Sequence, residues 1–494
     1  MNILFIASEI DGLIKTGGLA DVAYALPKAL IAAGHDVRII MPAYGDLRAT
    51  WQYWPSTFFT TQISYFNSEL VAARTGIHDG VLPIIAIEHG KSFDRPRLYD
   101  DGCYAYEDNP YRFAILSKAA LDWCKINDWK PDIVQANDWQ SALACFYLSE
   151  HLKDDSFFRN TRTVLSIHNG AYQMQCPAHW RDQVGINERF FTPYDFEDHG
   201  QLNILKGGIG FADAVVTVSP GYASELVTPT GGHGLDFKYR STALPLIGIL
   251  NGCDYDQWNP ETDPWLPENY SSVDEPGKAV CKAQLQQELE LESNPSAPLL
   301  ASVCRLVEQK GIHLLVPVLL ELMKDHDCQV AILGSGEENL ANQLNYIQQQ
   351  YPHRFRFING YNVGLSHRIE AGADAFLMPS IFEPCGLNQI YSLRYGTVPL
   401  VREVGGLQDT VVRLSQSERN LKTATGFMFS DLNEQALLNE TVRLLTVYRD
   451  KPAQWKVMQR NGMGKRFSWK KSAVKYLELY RSIMERPKYQ HPLV

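Results

Sequence analysis

Four residues of this 494-residue chain invite chemistry most directly: Lys15, Arg305, Lys310 and Glu383. Arg305 and Lys310 lie five apart after the candidate strand 299–303. On one helix they would point in different directions, so a shared target requires the intervening loop to curl, which Gly311 permits. Two cations facing one leaving pyrophosphate would supply charge-assisted hydrogen bonds worth roughly 1.5–3 kcal/mol each, strengthening as negative charge grows. The alternative for such a pair is solvated surface charge. Glu383 precedes Pro384, which disfavours helical geometry at 383 and suits a helix starting through Gly386, Leu387, Asn388 and Gln389. A carboxylate beside a bound phosphate would be repelled. Glu383 is therefore expected to face neutral sugar hydroxyls while backbone N–H groups near Gly386 to Asn388 take the phosphate; the alternative is a helix-start acid meeting the dipole.

Lys15-Thr16-Gly17-Gly18 combines a cation, a backbone that permits close approach and the start of a helix near Ala20. It reads as a phosphate cradle or as an ordinary glycine-rich turn. It lacks both G-x-G-x-x-G and G-x-x-x-x-G-K-[ST], which argues against dinucleotide and P-loop readings. His168 could be a metal ligand, a general base, a polar group donating to a substrate, or a structurally satisfied histidine. Asp138 is a candidate hydroxyl acceptor or a loop-stabilising aspartate. The D-x-D strings Asp325-His326-Asp327 and Asp254-Tyr255-Asp256 fall before a strand and at a domain junction, so no metal and no cofactor is expected. A glycoside hydrolase could conscript Glu9, Asp138 and Glu383, but the phosphate-binding elements would then have no purpose.

These residues need a frame, and the hydrophobic pattern supplies one. After a strand at 3–7 and the Lys15 loop, Val22, Leu26, Leu30 and Ala33 make one helical face, Gly34 stops it, and 37–40 returns as a strand. Further strands are expected at 133–135, 163–167, 214–218, 246–250, 299–303, 329–333, 355–358, 375–378 and 398–401, too many for one small sheet. Ligands of open parallel sheets bind beyond the carboxyl ends of strands, where Lys15, Asn137-Asp138, His168, Asn251, Arg305, Glu383 and Gly405-Gly406 fall. Composition shifts at Trp258-Asn259-Pro260, which puts a junction just before it. The positions of Ala473, Tyr476, Leu477 and Tyr480 give a terminal amphipathic helix. A formal net charge of −10 without a basic run argues against nucleic acid. Nine scattered cysteines, never C-x-x-C, indicate neither a disulfide framework nor a zinc knuckle and fit a reducing cytoplasm. No segment approaches a membrane span or a signal peptide, so a soluble cytoplasmic protein without membrane partners is expected.

Taken in order, Lys15-Thr16-Gly17-Gly18-Leu19-Ala20-Asp21-Val22, Ile249-Leu250-Asn251-Gly252, Trp258-Asn259-Pro260, Gln309-Lys310-Gly311 and Glu383-Pro384-Cys385-Gly386-Leu387 resemble bacterial glycogen synthases and plant starch synthases over nearly the whole chain. The resemblance implies a GT-B fold, α/β, with two Rossmann-like doubly wound domains facing a deep interdomain cleft: residues 1–248, 249–468, and a terminal helix and tail at 469–494 crossing back to the first. It implies that Lys15 and Gly18 contact the donor, Asp138 and His168 line the glucose site, Asn251 lies near it, Arg305 and Lys310 hold the diphosphate, Glu383 holds the glucose hydroxyls, and Tyr361 stacks on the base. The implied reaction moves glucose from ADP-glucose to the non-reducing 4-OH of an α-1,4-glucan such as glycogen, with retention, without a metal, and with release of ADP. UDP-glucose, a small acceptor, or a catalytically silent glucan-binding role are the alternatives. Gly12, Gln135, Asn137, Gly170, Met174, Asn388 and the run 228–234 depart from the family pattern. They are expected to lie beside the sugar and glucan surfaces and to affect donor base and acceptor preference.

Overall fold

The apolar run after Met1 forms β1 (Asn2–Ile6), paired in parallel on one side with β2 (Asp36–Pro42) and on the other with a strand from much later in the chain. The computed structural model describes residues 1–274 and 276–491. By contact density the chain divides into two units, Met1–Gly252 with the chain from Trp469 onward, and Cys253–Ser468.

In the first unit, β3 (Ser56–Gln62), β4 (Ser68–His78), β5 (Leu82–Glu88), β6 (Ile133–Asn137), β7 (Arg162–Ile167), β11 (Ala214–Thr217) and β12 (Ile247–Gly248) complete one sheet. Its order is β12-β11-β7-β6-β1-β2-β5-β4-β3. All pairings are parallel except β5-β4 and β4-β3. A separate small antiparallel sheet holds β8 (Gln175–Pro177), β9 (Glu197–Asp198) and β10 (Gln201–Asn203). The helices used below are α1 (Gly18–Ala32), α2 (Asn109–Ile126) and α3 (Asp138–Phe146). Strand order reverses between β1 and β6, which is the topological switch point where an open sheet parts its loops.

The terminal helix Trp469–Met484 belongs to this unit and is tied in by specific polar contacts. Ser472 Oγ donates to the Leu250 carbonyl at 2.6 Å, Tyr480 Oη donates to Gln135 Oε1 at 2.9 Å, and the Arg162 guanidinium donates to the carbonyls of Ile483 and Arg486. Tyr480 and Tyr476 are fully buried, so the helix covers apolar surface as well as pairing polar groups.

The second unit has a six-stranded parallel sheet of β13 (Leu299–Val303), β14 (Gln329–Gly334), β15 (Phe355–Asn359), β16 (Ala375–Met378), β17 (Val398–Arg402) and β18 (Phe427–Phe429), in the order β15-β14-β13-β16-β17-β18. Successive residues alternate between two core clusters: Leu300, Val330, Ile332, Phe357 and Leu377 in one, Leu299, Ala301, Ala331, Phe376 and Met378 in the other. Both faces are therefore covered, as a parallel sheet requires. Here the switch point lies between β13 and β16. The elements that matter there are α4 (Ile312–Asp325), α5 (Val363–Gly372), α6 (Asn388–Tyr395) and α7 (Gly405–Thr410).

The segment around Trp258 is a strap on the second unit. The Trp258 ring lies between the rings of His367 on α5 and Tyr391 on α6, each 3.8 Å between centroids and nearly parallel. The Arg394 guanidinium donates to Asn259 Oδ1, and Asp263 Oδ2 accepts from Tyr395 Oη and meets His367 Nδ1 at 2.7 Å. The Trp-Asn-Pro motif thus clamps the two helices that border the switch point.

Several elements were not legible. The ribbon β3-β4 and the short β18 carry no clean apolar alternation, and β5 was missed although its interior is fully buried. The strand expected at 246–250 is only two residues long, because the chain leaves the sheet for the turn at Asn251.

Candidate active site

At the switch point of the second unit, the loops after β13 and β16 are stitched together. The Ile381 N–H donates to the Gln309 carbonyl at 2.8 Å, and Gln309 Nε2 donates to the Phe382 carbonyl. Gly311 takes a left-handed conformation, φ +68°, and a Cβ there would stand 2.0 Å from the Pro379 carbonyl oxygen. This is the curl that the five-residue spacing required. It sets Lys310 Nζ 2.7 Å from Glu383 Oε2, and Ser380 Oγ donates to the same oxygen at 2.9 Å. Glu383 is almost fully buried, while Arg305 is exposed just past β13. The Cys304 thiol, whose pKa burial pushes up, feels the charges of Lys310, Glu383 and Arg305 together, which puts all three in one neighbourhood.

The sequence reading gave Lys310 and Glu383 separate partners; the structure pairs them with each other. It also moves the helix. The turn through Cys385 and Gly386, with Gly386 at φ +70°, precedes α6, which begins at Asn388 with Leu387 as its N-cap. Gln389 holds that turn from inside, its Nε2 donating to the carbonyls of Cys385 and Gly386 and to Thr410 Oγ1. Asn388 is occupied as well, its Nδ2 donating to the Val303 carbonyl. Gly405 and Gly406 lie against the loop that carries Glu383: a Cβ on Gly405 would meet the Glu383 carbonyl oxygen at 2.0 Å, and one on Gly406 the Cys385 carbonyl oxygen at 2.2 Å. Tyr361 stands beyond β15 with 78% of its surface exposed, next to Asn362, which caps α5.

At the switch point of the first unit the chemistry is buried rather than paired. Asp138 directly follows β6 as the first residue of α3, at φ +52°. Its Oδ1 accepts the N–H of His168 at 2.7 Å and that of Asn169 at 3.4 Å, so it ties the end of β6 to the end of β7. Burial pushes its carboxyl up to about 7, against the pull of those two amides. His168 is also buried, and its pKa falls to about 3, so the imidazole is neutral. Asn137 Nδ2 donates to the Ile6 carbonyl, which turns Oδ1 toward His168 Nε2 at 2.9 Å. Nε2 therefore carries the proton, and the lone pair sits on Nδ1, which is buried without a protein partner. Asn251 Oδ1 is likewise buried and unpartnered. Neutral His168 with a free Nδ1 acts as a hydrogen-bond acceptor, not as a base that takes up a proton near neutrality. Among the described residues no group of three or more His, Cys, Asp or Glu is arranged to hold a metal ion.

The Lys15 loop differs from a phosphate cradle. Lys15 Nζ lies 2.6 Å from Asp21 and 3.2 Å from Asp11; burial opposes its charge, but the two carboxylates outweigh that and hold it up at about 12. The N–H groups of Thr16 and Gly17 point at the Glu9 carboxylate. The loop's positive elements are thus met by the chain's own acids, a residue set the sequence reading passed over except for Glu9. The signal was present: Glu9 is an acid three residues past a buried strand at the switch point.

Of the atypical positions, Gln135 is corrected. It is fully buried, donates to Ser166 Oγ and accepts from Tyr480, so it anchors the terminal helix and does not line a sugar surface. Gly170 is packed, with a Cβ there falling 2.9 Å from Tyr239 Oη. Met174 takes φ +55°, a conformation glycine adopts without strain.

Comparison with known proteins gives a consistent answer. Residues 2–240 match the family described as starch synthase catalytic domain, and residues 285–459 match glycosyl transferases group 1. The catalytic domain of Starch Synthase IV from Arabidopsis thaliana, bound to ADP and acarbose, superposes with a TM-score of 0.88 at 33% identity, covering 98% of this chain and 99% of that one. Sucrose-phosphate synthase from Thermosynechococcus elongatus shares the fold, at TM-score 0.60, 18% identity and 98% coverage of both chains. Two doubly wound units of this kind, each with polar groups gathered at its switch point, define a glycosyltransferase of GT-B fold. The glycogen synthase of Aeromonas salmonicida is 44% identical over 503 residues, covering 98% of this chain and 99% of that protein. That of Anaeromyxobacter sp. (strain Fw109-5) is 44% identical over 483 residues, with the same coverage. The chain belongs to the glycogen synthase and starch synthase family.

Proposed function

We propose that this chain transfers glucose from ADP-glucose to the non-reducing 4-OH of an α-1,4-glucan, retaining the anomeric configuration and releasing ADP. The observation that carries the reading is the Lys310–Glu383–Ser380 cluster beside Arg305 at the β13/β16 switch point. A leaving diphosphate needs cations, which Lys310 and Arg305 supply; a glucosyl group needs a fixed acceptor for its hydroxyls, which Glu383 supplies without repelling phosphate because Lys310 balances its charge. Full-length kinship with glycogen synthases, and with a starch synthase seen with ADP and acarbose, supports the donor and acceptor classes.

In this reading the bond from the anomeric carbon to the diphosphate oxygen breaks, the acceptor 4-oxygen bonds to that carbon on the same face, and its proton passes to the departing diphosphate. Lys310 and Arg305 stabilise the charge on the leaving group. His168, neutral and with its Nδ1 lone pair unspent, accepts from the glucose or faces the positive charge that develops on the sugar. Asp138 and Asn137 fix its position and tautomer. Lys15, Gly18 and Asn251 contact the donor, Tyr361 stacks on its base, and the turn Gly386-Leu387-Asn388 takes phosphate. No helix among the described residues is long and apolar enough to cross a membrane, and a cytoplasmic enzyme acting on dissolved donor and polymer fits the free cysteines.

Release of ADP or UDP from each nucleotide-glucose, with and without glycogen, tests the reading. Glycogen-dependent ADP release with elongation is expected. Release only from UDP-glucose, or none that glycogen stimulates, would overturn it.

A further inference from the structure

Helix α1 begins without a side-chain cap: its N-cap is Gly17, which has none to offer. The two amides ahead of the helix, those of Thr16 and Gly17, are taken instead by Glu9, eight residues before Gly17 and only 4% exposed. Glu9 Oε2 accepts the N–H of Thr16 at 2.5 Å and that of Gly17 at 3.2 Å. Thr16 Oγ1 donates to the same carboxylate at 3.0 and 3.1 Å, and Tyr99 Oη, itself 2.7 Å from Ser8 Oγ, donates to Oε1 at 3.3 Å. Every group recorded against the carboxylate is a donor. Tyr44 and Asp138 lie within its electrostatic reach. Among the described residues nothing demands glycine at 17 or 18: Gly17 is extended, at φ −159°, and a Cβ on either residue would meet nothing within 4 Å. The loop is therefore held from one side by Glu9 and left clear on the other.

From this arrangement we infer that Glu9 is a positioning residue for the donor: it fixes the Lys15–Gly18 backbone in the one conformation that keeps the open glycine face clear for the nucleotide sugar. The inference rests on the functional reading above. Glu9 forms no bond in the reaction; it consumes the amides that would otherwise let the loop collapse, and preorganises the rest.

The test uses the full chain. In Glu9→Gln one carboxylate oxygen becomes an NH2 group facing donors. Hydrogen exchange at the amides of Thr16 and Gly17 is expected to accelerate at least 10-fold. The KM for ADP-glucose is expected to rise at least 10-fold, with kcat within 3-fold and the KM for glycogen within 2-fold. Thr16→Val keeps the amide but loses the hydroxyl, and should give the same pattern at about one third of the size, so the inference stays testable if Glu9→Gln does not fold. Wild-type exchange and wild-type donor KM in either folded variant would overturn it. So would a loss in kcat alone, which would place Glu9 at the reacting atoms. If the wild-type chain releases no ADP from ADP-glucose the functional reading fails, while the exchange arm still decides what Glu9 does to the loop.

Discussion

The two switch points solve opposite problems. That of the second unit is charged and close to balance: Lys310 lies against Glu383, Arg305 is exposed beside them, and the glycines at 405 and 406 are forced by backbone contacts of 2.0 and 2.2 Å. That of the first unit is buried and held near neutrality, with an acid pushed up to about 7 and a histidine pushed down to about 3, and a Cβ on Gly17 or Gly18 would meet nothing within 4 Å among the described residues. In the proposed reading the second unit's site holds a diphosphate, which calls for permanent charge and a rigid backbone. In the same reading the first unit's site stabilises transient charge on a sugar, which gains from neutral dipoles whose orientation is fixed in advance.

The contrast breaks most visibly at Glu383. Glu383→Ala should lower kcat by two or more orders of magnitude in steady-state assays while the circular dichroism spectrum persists, since the variant keeps the Glu383 carbonyl, which Gly406 N–H reaches at 3.0 Å. An active, folded variant would remove the second unit from the chemistry. Lys310→Gln deletes one charge-assisted contact to the leaving group, so kcat/KM for the donor should fall about 10- to 150-fold, the equivalent of roughly 1.5–3 kcal/mol.

How far these residues could be read from sequence divides along the same line. Charged groups with fixed spacing are visible in a string of letters, and Arg305, Lys310 and Glu383 are of that kind. Five of the second unit's six strands, β13 to β17, are equally plain, because burial on both faces makes them short continuous apolar runs. What escaped were relations between distant residues. That Glu9 takes the amides of Thr16 and Gly17, seven and eight residues on, that Asn137 sets the tautomer of His168, and that Gln135 belongs to the terminal helix through Tyr480 are facts of packing. The antiparallel ribbon β3-β4 was missed because its aromatic and aliphatic residues, Phe58, Leu70 and Ile77, are exposed and blur the alternation.

A pair of glycine substitutions sharpens the comparison. Gly405→Ala should cost about 1–3 kcal/mol of stability, since a methyl would press on the Glu383 carbonyl, and the loss is readable as a lower Tm. Gly17→Ala should leave stability within about 0.5 kcal/mol yet raise the donor KM several-fold. Equal Tm values for the two variants would mean that the loops do not differ in the way described.

The smallest effect is on the pH dependence of stability. The unfolded chain takes up a proton at His168 near pH 6.5, but the folded chain refuses it until about pH 3. Below pH 6.5 the unfolded state binds more protons, so this residue makes stability fall as pH drops through that window. Asp138 acts in the opposite sense between about pH 4 and 7, because its folded-state pKa is raised. His168→Gln should therefore lose less stability than wild type between pH 7 and pH 5 in urea unfolding, and a loss equal to that of wild type would place His168 in a less buried setting.

The division of labour between the units is tested most directly by calorimetric titration of ADP into the wild-type chain, Lys310→Gln and His168→Gln. Binding to wild type, at least 10-fold weaker binding to Lys310→Gln, and affinity within 2-fold of wild type for His168→Gln is the predicted result. The same ADP affinity in all three, or none in the wild type, would contradict it.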